Sequence, residues 1–308
     1  MNPLRSVILA AARNETIKRT VATAPVSRDV VARFVAGENT AGAIRATTEI
    51  TGDGRLVTLD YLGEDSVDTE RAERTVTAYT TLLEQLGAQG LAANAEVSVK
   101  LSAVGAKFDR LYAYKAVSRI CKAAEAVGTA VTLDMEDRTT TDDTLNMLVL
   151  LRQKWPSTGV VVQAYLKRTL EDCEQLAEQG ARVRLCKGAY AEPATVAYTS
   201  AEEVSRNYIR CADVLLGGEG YPMFATHDPA LLAILGERVE HHGRPPDRFE
   251  YQMLYGVRPD EQRKLRAGGN TVRVYVPYGE QWYGYLMRRL AERPANVGFF
   301  GRALLSKR

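Results

Sequence analysis

Short apolar runs alternate with longer stretches of helical periodicity along most of this chain. The runs fall at 56–60, 96–101, 130–134, 160–165, 182–186, 223–226, 249–252 and 271–276. They are short and mostly rich in β-branched residues, as parallel strands covered on both faces are. Between them a 3.6-residue period marks helices over 69–87, 111–127, 144–154, 170–179, 201–216 and 259–265. Strands separated by helices in this way predict an α/β protein, a (β/α)8 TIM-type barrel over residues 51–308 with residues 1–50 as an N-terminal helical extension outside it. A doubly wound open sheet is the alternative, but no G-x-G-x-x-G follows the first strand.

Many of the runs close on a polar or ionisable residue: Asp60, Lys100, Asp134, Gln163, Arg184, Thr226 with His227, Gln252 and Tyr275. Polar residues mark strand ends in any protein. So many together, mixing cations, anions and amides, point to a site at the C-terminal mouth of the barrel.

Composition narrows the function. The 308 residues carry 40 Lys+Arg against 38 Asp+Glu, a net charge of +2, without the basic face of a nucleic-acid binder. No apolar run approaches the roughly 18 residues of a spanning helix. The apolar stretch 7–12 runs straight into Arg13, Asn14 and Glu15 without a cleavage signal, so a cytoplasmic protein is expected. The four cysteines and three histidines are scattered without ligand spacing, so no metal site is expected.

The most specific segment is 285–292, YLMRRLAE. In a helix, Tyr285, Arg288, Arg289 and Glu292 share one face. A solvated charged face would look the same, yet two adjacent guanidinium forks can also grip a carboxylate bidentately. Lys100 would add a third positive charge to the same anion. The segment 182–190, RVRLCKGAY, brings Lys187 and backbone amides of Gly188, Ala189 and Tyr190 to the mouth of a strand, a setting for phosphate or an electron-rich ring. The Gln163 amide can read a donor and an acceptor on a heterocycle.

Taken together, VSVKLSA at 97–103, LDMED at 133–137, VVQAYLKR at 161–168, RLCKGAY at 184–190, FATHD at 224–228, FEYQMLYGV at 249–257, RVYVPYG at 273–279 and YLMRRLAE at 285–292 resemble the proline dehydrogenase family. The resemblance runs from about residue 55 to 300, in the family's order, and covers both monofunctional bacterial enzymes and the barrel of bifunctional proline utilisation proteins. It implies non-covalent FAD across the barrel mouth and oxidation of L-proline to Δ1-pyrroline-5-carboxylate by hydride transfer from C5 to flavin N5, the first step of proline catabolism to glutamate. By motif position, Asp134 and Arg184 would be catalytic, with Arg184 near N5. Met135, Gln163, Lys187, Gly188, Ala189, Thr226 and His227 would bind the cofactor. Lys100, Arg288 and Arg289 would hold the proline carboxylate, while Leu254, Tyr275, Tyr285 and Tyr190 wall the ring. Glu64 would pair with Arg288 as a gate. The resemblance further implies a membrane quinone as electron acceptor, with peripheral contact at the inner face of the membrane, and a separate pyrroline-5-carboxylate dehydrogenase downstream, since the aldehyde dehydrogenase half of the bifunctional proteins is missing.

Two residues depart from the family pattern: Cys186 stands where an aliphatic is commoner, and Asp228 where Asn follows Thr-His. Two competing readings are a lyase or aldolase using Lys100 or Lys187 as a Schiff-base amine, and a catalytically silent binding barrel. Neither accounts for the Arg288–Arg289 helix or the Gln163 segment.

Overall fold

A computed structural model describes residues 31–63 and 65–292. Its strands are β1 (Leu56–Tyr61), β2 (Ala95–Lys100), β3 (Val131–Asp134), β4 (Gly159–Gln163), β5 (Arg182–Cys186), β6 (Tyr221–Ala225), β7 (Glu250–Leu254) and β8 (Val272–Tyr278). They close into a parallel barrel in sequence order, with β8 returning to β1 through the register Leu56↔Arg273 to Tyr61↔Tyr278. The helices are α1 (Thr40–Thr51), α2 (Thr69–Ala88), α3 (Arg110–Ala126), α4 (Thr141–Arg152), α5 (Thr169–Glu178), α6 (Ala201–Gly217), α7 (Pro229–His241), α8 (Pro259–Ala267) and α9 (Trp282–Glu292). The (β/α)8 architecture is the one expected from the alternation of runs.

Local chemistry starts the helices where they start. Asp68, Asp109 and Asp228 cap α2, α3 and α7 by accepting first-turn backbone N–H groups, and Ser200 with Glu203 forms a reciprocal capping box on α6. The helix α7 is absent from the sequence-based list. Its Pro229 stands in the first turn, where proline initiates rather than breaks a helix.

Strand alternation divides the barrel into two environments. Arg184 on β5 bonds both Ser98 on β2 and Gln252 on β7, which is possible only through the barrel interior. The neighbouring positions therefore face outward, and Val183, Leu185, Val97, Val99, Val274 and Val276 are buried beneath the helices. The interior, aliphatic in most such barrels, is here polar.

The helix α1 packs on β1, β8 and α2, in the place a helix following β8 would take, and buries Ala43, Ile44, Ala46 and Ile50. This frees α9, which follows β8 in sequence, to stand at the mouth. The segment ahead of α1 fastens that end: Ala36 N–H donates to Pro277 O at 2.9 Å, and Trp282 Nε1 donates to Glu38 Oε1 at 2.9 Å. Gly256, at φ +70°, admits the Arg33 carbonyl, and a Cβ there would lie 1.7 Å from that oxygen. Residues 1–30 of the expected extension lie outside the described residues.

Arg184, Gln252 and Tyr275 are not strand tips: β5 ends at Cys186, as the run 182–186 predicts, while β7 continues to Leu254 and β8 to Tyr278, both past their expected ends. Each sits inside the barrel wall, because pairing in the cylinder carries the strand past the polar residue that looked like its end. Conversely, β4 stops at Gln163 instead of reaching Tyr165, where Thr169 Oγ1 donates to Gln163 O at 2.6 Å and turns the chain into α5.

Candidate active site

The polar interior is a connected network. At its deep end Glu96 takes Arg182 Nη2 at 2.8 Å and Thr58 Oγ1 at 3.0 Å, while Arg273 Nε donates to Glu250 Oε1 at 2.7 Å. Burial pushes the Glu96 carboxyl up, but Arg273, Arg182 and Arg184 outweigh it and hold it at about 2. One layer higher, Arg184 donates to Gln252 Oε1 at 2.5 Å, Ser98 Oγ at 3.0 Å and Asp134 Oδ1 at 2.9 Å, with its guanidinium 5.1 Å from the centre of the Tyr275 ring.

Asp134 is the hub below the mouth. Its Oδ1 accepts from Ser98 Oγ at 2.7 Å and from Arg184, and its Oδ2 accepts from Tyr275 Oη at 2.7 Å and Lys100 Nζ at 3.2 Å. Burial raises its affinity for a proton, yet Lys100, Arg184, Ser98 and Tyr275 together bring it below the usual carboxylate value. Burial, then the Asp134 and Asp60 charges, push the Tyr275 phenol well above its ordinary value, so it remains a hydrogen-bond donor. Lys100, expected as an additional positive charge, is balanced here: both Asp60 oxygens accept from its Nζ at 2.9 Å.

Above this hub lies a cleft of about 760 Å³, within the range of small-molecule sites. It brings together Lys100, Asp134, Met135, Gln163, Arg184, Lys187, Gly188, Ala189, Tyr190, Thr226, His227, Leu254, Tyr275, Tyr285, Arg288 and Arg289, all of them singled out from sequence. From α9, Tyr285 is buried and the Arg289 guanidinium stacks 5.1 Å from its ring centre. Tyr190 is 41% exposed, on the outer lip rather than in the wall. Glu64 lies outside the described residues, as does the side chain of Glu292.

The floor around the cleft is tied to three loops. Gln163 Nε2 donates to Glu136 O at 2.8 Å, leaving the amide oxygen for a ligand. Leu254 N–H donates to His227 Nε2 at 2.8 Å, so the proton of a neutral imidazole is on Nδ1. Lys187 Nζ meets Asp228 Oδ2 at 2.8 Å. Gly188, at φ +109°, passes so close to Tyr165 that a Cβ would lie 2.0 Å from its ring. The fit to a flavin nucleotide rests on this set: Arg184 and Lys187 for negative charge, Gln163 for a heterocycle edge, and Met135 and Leu254 as apolar walls.

Sequence reasoning missed Glu96, Arg182, Glu250 and Arg273. Their signal was the two-residue spacing of polar side chains, Glu96-x-Ser98-x-Lys100, Glu250-x-Gln252 and Arg273-x-Tyr275, in strands with no solvent-facing side. Among the described residues, no helix is long and apolar enough to cross a membrane, and no group of three or more His, Cys, Asp or Glu could hold a metal ion.

Fold and site define a (β/α)8 barrel enzyme with a charged core opening into a cationic cleft. A family profile described as proline dehydrogenase matches residues 43–302. Proline dehydrogenase 1 of Bacillus subtilis strain 168 is 34% identical over 304 residues, 99% of this chain and 100% of that protein. Proline dehydrogenase of Deinococcus radiodurans is 39% identical over 278 residues, 89% of each chain. The chain belongs to the proline dehydrogenase family, which is flavin-dependent. Crystalline proline utilization A from Bdellovibrio bacteriovorus, inactivated by N-propargylglycine, shares the fold, with a TM-score of 0.81 and 24% identity over 93% of this chain and 38% of that one.

Proposed function

We propose that the chain binds FAD in the cleft and oxidises L-proline to Δ1-pyrroline-5-carboxylate, the first step of proline catabolism. The observation that carries this reading is that Arg288 and Arg289 of α9 line the same cleft as the Asp134–Tyr275–Lys100 hub. A carboxylate-bearing substrate gripped by the two guanidinium groups, with Lys100 as a further donor, is thereby held over the barrel's charged floor. Leu254, Tyr275 and Tyr285 wall its ring, with Tyr190 at the lip, and fixing it this way makes the redox step effectively unimolecular.

Met135, Gln163, Lys187, Gly188, Ala189, Thr226 and His227 hold the flavin, and Asp134 keeps Arg184 in place beside it. The bound flavin supplies the acceptor for the two electrons and the C5 hydrogen of the amine. Arg184 stabilises negative charge that builds up at its side of the cleft. Closure by a Glu64–Arg288 pair completes the site. Residues 51–308 form the catalytic barrel and residues 1–50 its extension. Electrons pass on to a membrane quinone during peripheral contact with the inner face of the membrane, and a separate pyrroline-5-carboxylate dehydrogenase takes the product.

Anaerobic titration of the yellow protein with L-proline tests the reading: the flavin band bleaches, and added quinone restores it. A colourless preparation that takes up neither FAD nor FMN overturns it. Lysine trapping of substrate by borohydride would favour Schiff-base chemistry instead.

A further inference from the structure

The cleft is lined by five cationic side chains, Lys100, Arg184, Lys187, Arg288 and Arg289, and by three carboxylates, Asp60, Asp134 and Asp228. Two of the carboxylates belong to the hub described above. The third stands apart, across the mouth from Lys100, and its two oxygens do different work. Oδ1 caps α7 by accepting the Ala230 N–H at 3.0 Å, while Oδ2 takes Lys187 Nζ at 2.8 Å. The Asp228 N–H in turn donates to Thr226 Oγ1 at 3.1 Å, His227 Nε2 accepts from Leu254, and His227 O accepts Arg258 Nη1 at 2.7 Å. One carboxylate thus fastens the lysine after β5 to a loop that is itself tied to the ends of β6 and β7. Lys187 and Asp228 are each about a third exposed, at 35% and 34% of their side chains, so the pair faces the cleft rather than the core.

We propose that Asp228 is an electrostatic positioning residue. It holds Lys187 at the flavin site and cancels its positive charge there, so that the bound flavin is easier to oxidise than an unopposed Lys187 would leave it. This inference rests on the flavin reading above. Its physical basis is elementary. Reduced flavin at neutral pH carries more negative charge than oxidised flavin, and a cation nearby favours it. A carboxylate 2.8 Å from that cation turns the local charge into a dipole, whose field falls off faster with distance. The depressed proton affinity of Asp228, caused first by Lys187, fits a carboxylate that stays ionised beside it.

Asp228→Asn isolates the charge, because asparagine caps a helix as well as aspartate does. The midpoint potential of the bound flavin, measured by dye-coupled titration, should rise, with binding of reduced over oxidised flavin favoured about tenfold, or roughly 30 mV for a two-electron couple. Lys187→Met should move the potential the opposite way, since it leaves Asp228 alone. Melting temperatures of both apoproteins report any loss of fold, and flavin occupancy is read from absorbance. A wild-type protein that binds no flavin defeats the functional reading. Flavin bound at wild-type occupancy in Asp228→Asn, with a potential unchanged to within twofold in the reduced-to-oxidised ratio, overturns this proposal alone. A potential that falls in Asp228→Asn overturns it as well.

Discussion

The Tyr275 hydroxyl donates to Asp134 Oδ2 at 2.7 Å, on the same oxygen that Lys100 reaches at 3.2 Å. Asp134 therefore joins the aromatic wall of the cleft to its basic floor. In Tyr275→Phe that donor is lost while Asp134 keeps Lys100, Ser98 and Arg184. A hydrogen bond to a charged group is worth about 1.5–3 kcal/mol, so stability should fall by no more than that. Asp134→Ala takes from Arg184, 3% exposed, the nearer of its two carboxylates and leaves only Glu96 at 3.6 Å, and breaking a buried pair costs about 3–5 kcal/mol. Denaturant unfolding of the two variants should rank them in that order. Equal losses would mean that the hub is not centred on Asp134.

Arg288 and Arg289 should act on substrate and leave the flavin alone. Replacing either by Ala removes charge-assisted hydrogen bonds to a carboxylate, each worth about 1.5–3 kcal/mol, or roughly a tenfold to hundredfold rise in proline KM. Absorbance at the flavin band should stay at the wild-type ratio to protein. Arg289→Ala also strips the stacking partner from Tyr285, 5.1 Å away, so its effect should exceed that of Arg289→Lys, which keeps the charge but not the planar fork. An Ala variant with unchanged KM removes the clamp.

Much of this arrangement was legible in the sequence. The outward Val and Leu positions of β2, β5 and β8 gave the period and the strand count, and motif order placed α9 at the mouth. Less legible was depth. Arg184, Gln252 and Tyr275 resemble strand ends because charge and amide groups rarely sit inside a barrel, and only the closed cylinder shows that they are lodged one layer down. The pairing of Lys187 with Asp228 also escapes a linear reading, since the two lie 41 residues apart and meet only where β5 and β6 pair side by side. The same holds for α1, whose role as the missing outer helix depends on where β8 ends.

Acid should unfold the core through Glu96. Its carboxyl falls from an ordinary 4.5 to about 2 in the folded protein: burial opposes the fall, but Arg273, Arg182 and Arg184 prevail. A depressed carboxyl contributes stability that is fully present above its unfolded value and lost as pH drops through the folded one. The window therefore runs from about 4.5 down to about 2. Melting temperature measured across this window should decline steeply in the wild type. In Glu96→Gln the protein should be less stable at pH 7, because three guanidinium groups lose their shared anion, and its further decline with acid should be shallower. Parallel declines in both proteins would assign acid sensitivity to other carboxylates.

Gly188→Ala tests whether the turn after β5 is set by packing as well as by ligand binding. At φ +109° an L-residue is strained, and the added methyl would sit 2.0 Å from the Tyr165 ring, whose relaxation is restricted because the side chain is 7% exposed. The turn must then move, and Lys187 moves with it, since Tyr165 N–H donates to Lys187 O at 2.8 Å. Stability should drop by about 1–3 kcal/mol, and flavin affinity should fall with it. Tyr165→Ala, which vacates the ring, should relieve the clash: in the double variant Gly188→Ala should cost less than it does alone, leaving only the backbone strain. Additive losses in the double variant would show that the φ angle, not the contact with Tyr165, fixes the glycine.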